Sequence, residues 1–274
     1  MTTESDGPAG FAAQPPAAPP AWRVVLLGDV DSTQEVAKRM LASGVDAART
    51  VVRARSQSAG RGRRGGSWRS GEGGSYQTFV TPAGRLPAGG AGLTLAVGVA
   101  LAEALGAAGA RCKVKWPNDL YYRDRKLGGV LVERVREHLL LGVGINVEND
   151  VPPTATALRS WSLPAVEELV LEAVGGALAA AVSDEGAVPV PAALRRRYAA
   201  LDWLAGKRVT VGDAEAVGTA APVPGSAAGA GEGWRVSGVA RGIDERGCLL
   251  LSSATSEAPI AVCAGTVVAV EAVG

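Results

Sequence analysis

Hydrophobic positions in this chain gather into short β-rich runs and a few longer stretches with helical spacing. "WRVVLLGDV" (22–30) opens the pattern as a strand. In the following "DSTQEVAKRMLASG", Ser32 or Thr33 can cap a helix with an apolar face of Val36, Met40 and Leu41, and Gly44 stops it. "TVVRARSQ" (50–57) and "SYQTFVTP" (75–82) read as strands leading into and out of a glycine- and arginine-rich loop. Around 90–109, "LTLAVGVALAEALGAAGA" predicts a buried amphipathic helix; Glu103 and the glycines argue against a membrane span. Strands follow around "CKVKWP", "DLYY", "GGVLVERV" and "LLLGVGINV", the last two joined by a charged turn, then helices near 164–183 and 191–203. Strands and helices are intermixed, with a hairpin-linked run of strands. That order predicts an α+β domain with a mixed β-sheet rather than a doubly wound one.

The pattern changes at Gly206. "KRVTV", "WRVSGVARGID", "GCLLLSS", "PIAVCAG" and "TVVAVEAV" are short β-runs separated by turn residues, which predict a small all-β barrel over 206–274. Within it, "GTAAPVPGSAAGAGEG" (218–233) reads as a flexible hairpin-loop insertion without chemistry of its own. Residues 1–21 are Pro/Ala-rich and predict disorder, leaving 22–205 as the larger domain. The start lacks the basic and apolar regions of a signal peptide.

Composition narrows the function classes. The 274 residues carry a net charge of only +1, so general affinity for nucleic acid or anionic membrane is not implied and any electrostatic function is local. Cys112, Cys248 and Cys263 are scattered, with no CxxC pair. That spacing argues against a disulfide framework and a zinc site, and for a reducing, cytoplasmic setting. His138, the one histidine, sits beside an expected hairpin turn and reads as an ordinary turn or surface residue, which disfavours a Ser-His-Asp triad.

Two constellations carry candidate chemistry. The first is "GRGRRGGSWRSG" (60–71): six arginines and no acidic residue lie between Arg53 and Arg69. Glycines let backbone N–H groups approach a phosphate, and guanidinium groups add charge-assisted bonds. A solvated basic loop and an RNA-binding Gly/Arg tract are the alternatives. The loop joins two strands inside a domain, where long loops are often functional. The second is "KVKWPNDLYYRDRKLGGVLVE" (113–133), where Pro117, Asn118 and Asp119 signal a turn after Lys115 and Trp116. Lys126 is followed by Leu127, Gly128 and Gly129, where absent side chains would let a ligand lie against the strand. "GVGIN" (142–146) is a further place of close backbone approach, and Asn146 taken alone reads as a strand-end residue.

"DSTQ", "QSAGRGRRGGSW", "KWPNDL", "RKLGGVLVE" and "GVGINV" occur in the order and approximate spacing of biotin protein ligases, and "GVARGIDERGCLLL" resembles the start of that family's small C-terminal β-domain. The resemblance covers about 22–274 except the insertion, and implies a class II synthetase-like, biotin-lipoate ligase fold followed by an SH3-like barrel. It implies activation of biotin with ATP and Mg²⁺ to biotinyl-5′-AMP, then transfer to a lysine of a biotin carboxyl carrier domain of acyl-CoA carboxylases. By the same resemblance, Ser32, Thr33 and Gln57 contact the ureido ring of biotin with Gln34 close by in the biotin site, and Arg61, Gly62 and Arg63 close over the ligand. Lys126 meets the carboxylate and the α-phosphate, so Lys126, Arg61 and Arg63 form the catalytic set. Arg64, Trp68, Lys115, Trp116, Asn118, Asp119, Gly128 and Asn146 fall to the adenylate site, with Mg²⁺ held through Asp119.

The sequence departs from the family pattern in places. Gln34 stands where asparagine is frequent, Gly66 where arginine is, and Gly128 where alanine is also found. Too few residues precede Trp22 for the winged-helix domain of some members, which predicts a monofunctional ligase that binds neither DNA nor membrane, as monomer or homodimer. Rival readings are a lipoate or octanoate ligase or transferase of the same fold and a non-catalytic biotin-responsive module.

Overall fold

The computed structural model describes residues 22–84, 90–181, 190–217, 235–252 and 258–272; the expectations for 1–21 and 218–233 lie outside them. Among the described residues, seven strands share one sheet: β1 (Arg23–Val30), β2 (Thr50–Gln57), β3 (Ser75–Pro82), β4 (Lys113–Lys115), β5 (Asp119–Tyr122), β6 (Arg125–Val135) and β7 (His138–Ile145). Their order is β1-β2-β3-β7-β6-β5-β4. β1 and β2 run parallel and the remaining neighbours antiparallel, so the sheet is mixed as expected. The helices are α1 (Thr33–Ala42), α2 (Gly90–Ala107), α3 (Leu163–Ala181) and α4 (Ala192–Leu201).

Two-residue alternation sorts the sheet into two faces. Val51, Phe79, Leu139 and Leu141 belong to the large core shared with α2, α3 and α4. Their sequence neighbours Val52, Val80 and Leu140 pack instead with Ala37 of α1 and Ala47. Burying each large side chain contributes roughly 1.5–3 kcal/mol, so a one-residue slip of register would forfeit both cores. α2 corrects one expectation. Leu93, Leu95, Val97, Val99, Leu101, Ala102 and Leu105 are all buried, so the helix is apolar round most of its circumference rather than along one stripe. No helix among the described residues is long and apolar enough to cross a membrane.

β8 (Arg208–Val217), β9 (Arg235–Ile243), β10 (Leu249–Ser252) and β11 (Ile260–Glu271) close into an antiparallel barrel. The runs "PIAVCAG" and "TVVAVEAV", expected as separate strands, form the single β11; Gly265, at φ 149°, and adjacent register shifts absorb the irregularity. The barrel is joined to the larger domain by Trp116 Nε1, which donates to the Gly247 carbonyl at 2.9 Å, and by Val190 N–H, which donates to Glu245 O at 3.0 Å.

The cysteine expectation is overturned. Cys248 and Cys263 form a disulfide, and Cys112 is free and buried. Leu249 pairs with Val262 across β10 and β11, so the residues flanking that pair are brought side by side. A separation of 15 residues conceals what the register creates. The inference of a reducing setting from scattered thiols loses its premise.

Candidate functional site

Beyond Leu140, the α1 face of β7 continues through Gly142 and Gly144, where no side chain fills the space. A Cβ on Gly142 would sit 3.3 Å from Gln34 Cδ, and one on Gly144 would sit 2.7 Å from Trp68 Nε1. The two bare positions admit the side chains that wall a cavity of about 250 Å³. α1 and Ser32 form one wall, Asn118, Asp119, Lys126 and Gly129 another, and the Arg/Gly loop the roof. Thr266 of β11 reaches its edge.

The loop is held by its own hydrogen bonds. Trp68 N–H donates to Gly60 O at 2.8 Å, Gly62 N–H to Gly66 O at 2.7 Å, and Gln57 N–H to Ser70 O at 2.9 Å. A one-turn 3₁₀ segment covers Arg63–Gly65, with Arg64 at φ 53°. The arginines fasten this roof on two sides. Arg61 Nε lies 3.4 Å from Glu35 of α1, Arg63 Nη1 donates to Gly265 O at 3.5 Å, and Arg64 pairs with Asp213 of β8 at 3.4 Å. Burial, and then the neighbouring Arg64, holds the Arg63 guanidinium below its ordinary pKa, with Asp119 opposing. Such a desolvated cation gains from an anion placed beside it.

On the wall, hydrogen-bonding capacity is unevenly used. Gln57 Oε1 accepts from Thr33 N–H at 2.8 Å and Oγ1 at 3.1 Å, and its Nε2 donates to Ser70 Oγ at 2.7 Å. Thr33 Oγ1 also accepts from Thr78 at 2.8 Å. Ser32 and Gln34 are 1% and 3% exposed, yet Ser32 Oγ and Gln34 Oε1 have no partner. Ser32 occupies the N-cap of α1 without making the capping bond. Trp68 Nε1 is likewise buried without an acceptor. Each such atom costs about 1–3 kcal/mol unless a further group meets it. Lys126 Nζ completes the set, 2.7 Å from Asp119 Oδ1 and 5.4 Å from the Trp68 ring centroid.

A biotin/lipoate A/B protein ligase family model matches residues 27–150, the segment that supplies these walls and the roof. That segment belongs to the biotin/lipoate A/B protein ligase family. The bifunctional ligase/repressor BirA of Escherichia coli is 44% identical over 98 residues, covering 33% of this chain and 30% of that protein. The biotin–[acetyl-CoA-carboxylase] ligase of Mycobacterium tuberculosis is 33% identical over 156 residues, covering 53% of this chain and 58% of that protein. The chain thus spans about a third to three-fifths of these relatives. A solved biotin protein ligase from Aquifex aeolicus, in complex with biotin and ATP, aligns with a TM-score of 0.71 at 25% identity, covering 92% of this chain and 99% of that one.

Within this family domain the structure gathers most of the expected residues. Ser32, Thr33, Gln34, Gln57, Arg61, Gly62, Arg63, Trp68, Asn118, Asp119 and Lys126 all line the cavity. Others lie elsewhere. Trp116 is buried and bonded to Gly247, and Lys115 Nζ donates to Tyr121 Oη at 3.1 Å and lies 5.5 Å from the Trp203 ring centroid. Asn146 donates to Thr156 O at 3.1 Å and accepts from Asn149 at 3.0 Å, the strand-end role its position suggests. Gly128 faces Gly144 O and Ile145, so its missing side chain serves strand packing, and Gly129 is the glycine on the cavity. Arg64 touches the barrel, not the cavity. Arg53 and Arg55 leave the basic loop altogether, pairing with Glu167 and Asp29. His138 begins β7 and does not line the cavity.

Sequence reasoning missed Thr78, Glu133 and Thr266. Glu133 closes the quoted "RKLGGVLVE", three positions of alternation from the core residue Val130 and so on the opposite face; Thr266 carries no signal in the sequence.

Proposed function

We propose that the chain is an ATP-dependent biotin protein ligase. The observation that carries this reading is the cavity wall itself: two unpartnered acceptors, Ser32 Oγ and Gln34 Oε1, and one unpartnered donor, Trp68 Nε1, beside Lys126 and beneath the Arg61–Arg63 roof. A ureido head has N–H donors and a carbonyl acceptor, and its valeryl chain ends in a carboxylate for the cation.

In the proposed first step a biotin carboxylate oxygen attacks the α-phosphorus of ATP, the bond to the β-phosphate oxygen breaks, and pyrophosphate leaves. The nucleophile is already ionised, so no base is needed; the demands are alignment and relief of repulsion between anions. Lys126 and Arg63 answer the second, with Asp119 holding the ammonium until ligand anions replace it. Arg61 and Gly62 cover the mixed anhydride from water. In the second step a carrier-domain lysine attacks the acyl carbon, loses a proton, and AMP departs. Among the described residues no three His, Cys, Asp or Glu side chains converge. Magnesium would therefore come with the nucleotide phosphates, and Asp119 is the cavity carboxylate that could reach it through water.

The lipoate-transferase alternative needs a reactive cysteine. Burial pushes the Cys112 thiol up to about 12, and it does not line the cavity. Biotin-dependent exchange of labelled pyrophosphate into ATP, followed by biotin transfer to a carboxyl carrier domain, tests the proposal. Exchange that requires biotin and ignores lipoate is expected; exchange with lipoate alone, or none, overturns it.

A further inference from the structure

We propose that Glu133 is a positioning residue that decides which end of the Gln34 amide meets the ligand; this rests on the reading of the cavity as a biotin site. Gln34 Nε2 donates to Glu133 Oε2 at 3.0 Å, and Lys38 Nζ donates to Glu133 Oε1 at 3.1 Å. A carboxylate only accepts and an ammonium only donates. Each oxygen of Glu133 is thus committed to one donor, and the amide must turn its NH₂ toward the carboxylate. Gln34 Oε1 is then left on the cavity side as an acceptor, buried and without a partner. The side chain is 3% exposed and pressed against Gly142, so the orientation is built by its surroundings. Lys38 also donates to Glu35 at 3.0 Å, and Glu35 is the residue that Arg61 of the roof approaches at 3.4 Å. Roof, ammonium, carboxylate and amide form one connected chain, and its free end is an acceptor suited to a ureido N–H.

Glu133→Gln tests this directly. The amide at position 133 has one oxygen, which Lys38 claims, so its NH₂ faces Gln34 and the Gln34 amide has to reverse. A donor then confronts the ligand N–H. The KM for biotin should rise about tenfold or more, the order of one hydrogen bond to a buried group, with kcat little changed. Discrimination against a biotin analogue methylated at both ureido nitrogens should shrink by a similar factor. The double variant Q34E/E133Q restores an acceptor facing the cavity and should recover that discrimination, which a merely structural role for Glu133 would not bring about. The double variant also keeps the test open should Glu133→Gln alone fail to fold. Wild-type KM and discrimination in Glu133→Gln, or no recovery in the double variant, overturns the proposal. If the wild-type protein itself binds no biotin, the functional reading fails and this inference with it, an outcome distinct from either of those.

Discussion

Two sets of buried polar groups behave oppositely. Away from the cavity, Trp116 is bonded to Gly247, Asn146 to Thr156 and Asn149, and Tyr198 to Asp202 at 3.0 Å. On the α1 face, Ser32, Gln34 and Trp68 each keep an atom with no partner. Burial alone does not distinguish them, since the unpartnered atoms are buried too. Satisfaction does: the first set stabilises the fold, and the second holds unused hydrogen-bonding capacity for something that arrives. Arg53 Nε and Asp202 Oδ2 also lack partners, but neither residue lines the cavity.

Substitutions should separate the two sets. Trp116→Ala should have the largest effect, a loss of stability of about 3–5 kcal/mol from the cavity left behind, read as a lowered denaturation midpoint. A stable variant with lost activity would instead place Trp116 in the site. Lys126→Ala should slow adenylation by about 10²–10³-fold, the scale for removing a preorganised charged donor, with the melting temperature retained. Rates equal to wild type in single-turnover adenylation would remove Lys126 from the chemistry. Ser32→Ala should leave stability unchanged or slightly raised, because its Oγ makes no bond to lose. The KM for biotin should nonetheless rise by roughly three- to tenfold, and an unchanged KM would show that Oγ serves no ligand.

The smallest effect belongs to Asp202. Burial raises its carboxyl pKa above the ordinary value, against bonds from Leu204 and Tyr198 that lower it. The folded state therefore holds that proton more tightly than the unfolded chain. The stability it confers is present below the unfolded carboxylate value and is lost as pH rises through the folded one. Asp202→Asn should flatten the stability profile over that window and leave biotin affinity alone. A profile that keeps its slope would assign the pH dependence to other groups.

Much of this architecture was legible because its strands are short β-rich runs bounded by turn residues, as "TVVRARSQ" and "SYQTFVTP" are on either side of the Arg/Gly loop. The cavity was legible in its motifs for the same reason that the glycines at 142 and 144 stand out in a strand. What escaped was orientation. Nothing in "KWPND" says that Lys115 and Trp116 turn away while Asn118 and Asp119 turn inward, because the turn at Pro117 reverses the chain between them. Nor does a sequence show that Cys248 and Cys263 face each other across β10 and β11, or that Thr266 of the barrel reaches the cavity edge. Those are products of register and docking, set by residues far apart along the chain.

The most direct measurement is a crystal structure of the protein with biotin and a non-hydrolysable ATP analogue. The account predicts the ureido ring bonded to Ser32 Oγ and Gln34 Oε1, with the carboxylate beside Lys126 and the α-phosphate under Arg63. Biotin bound elsewhere, with Ser32 Oγ still unpartnered and Lys126 still paired to Asp119, would contradict it.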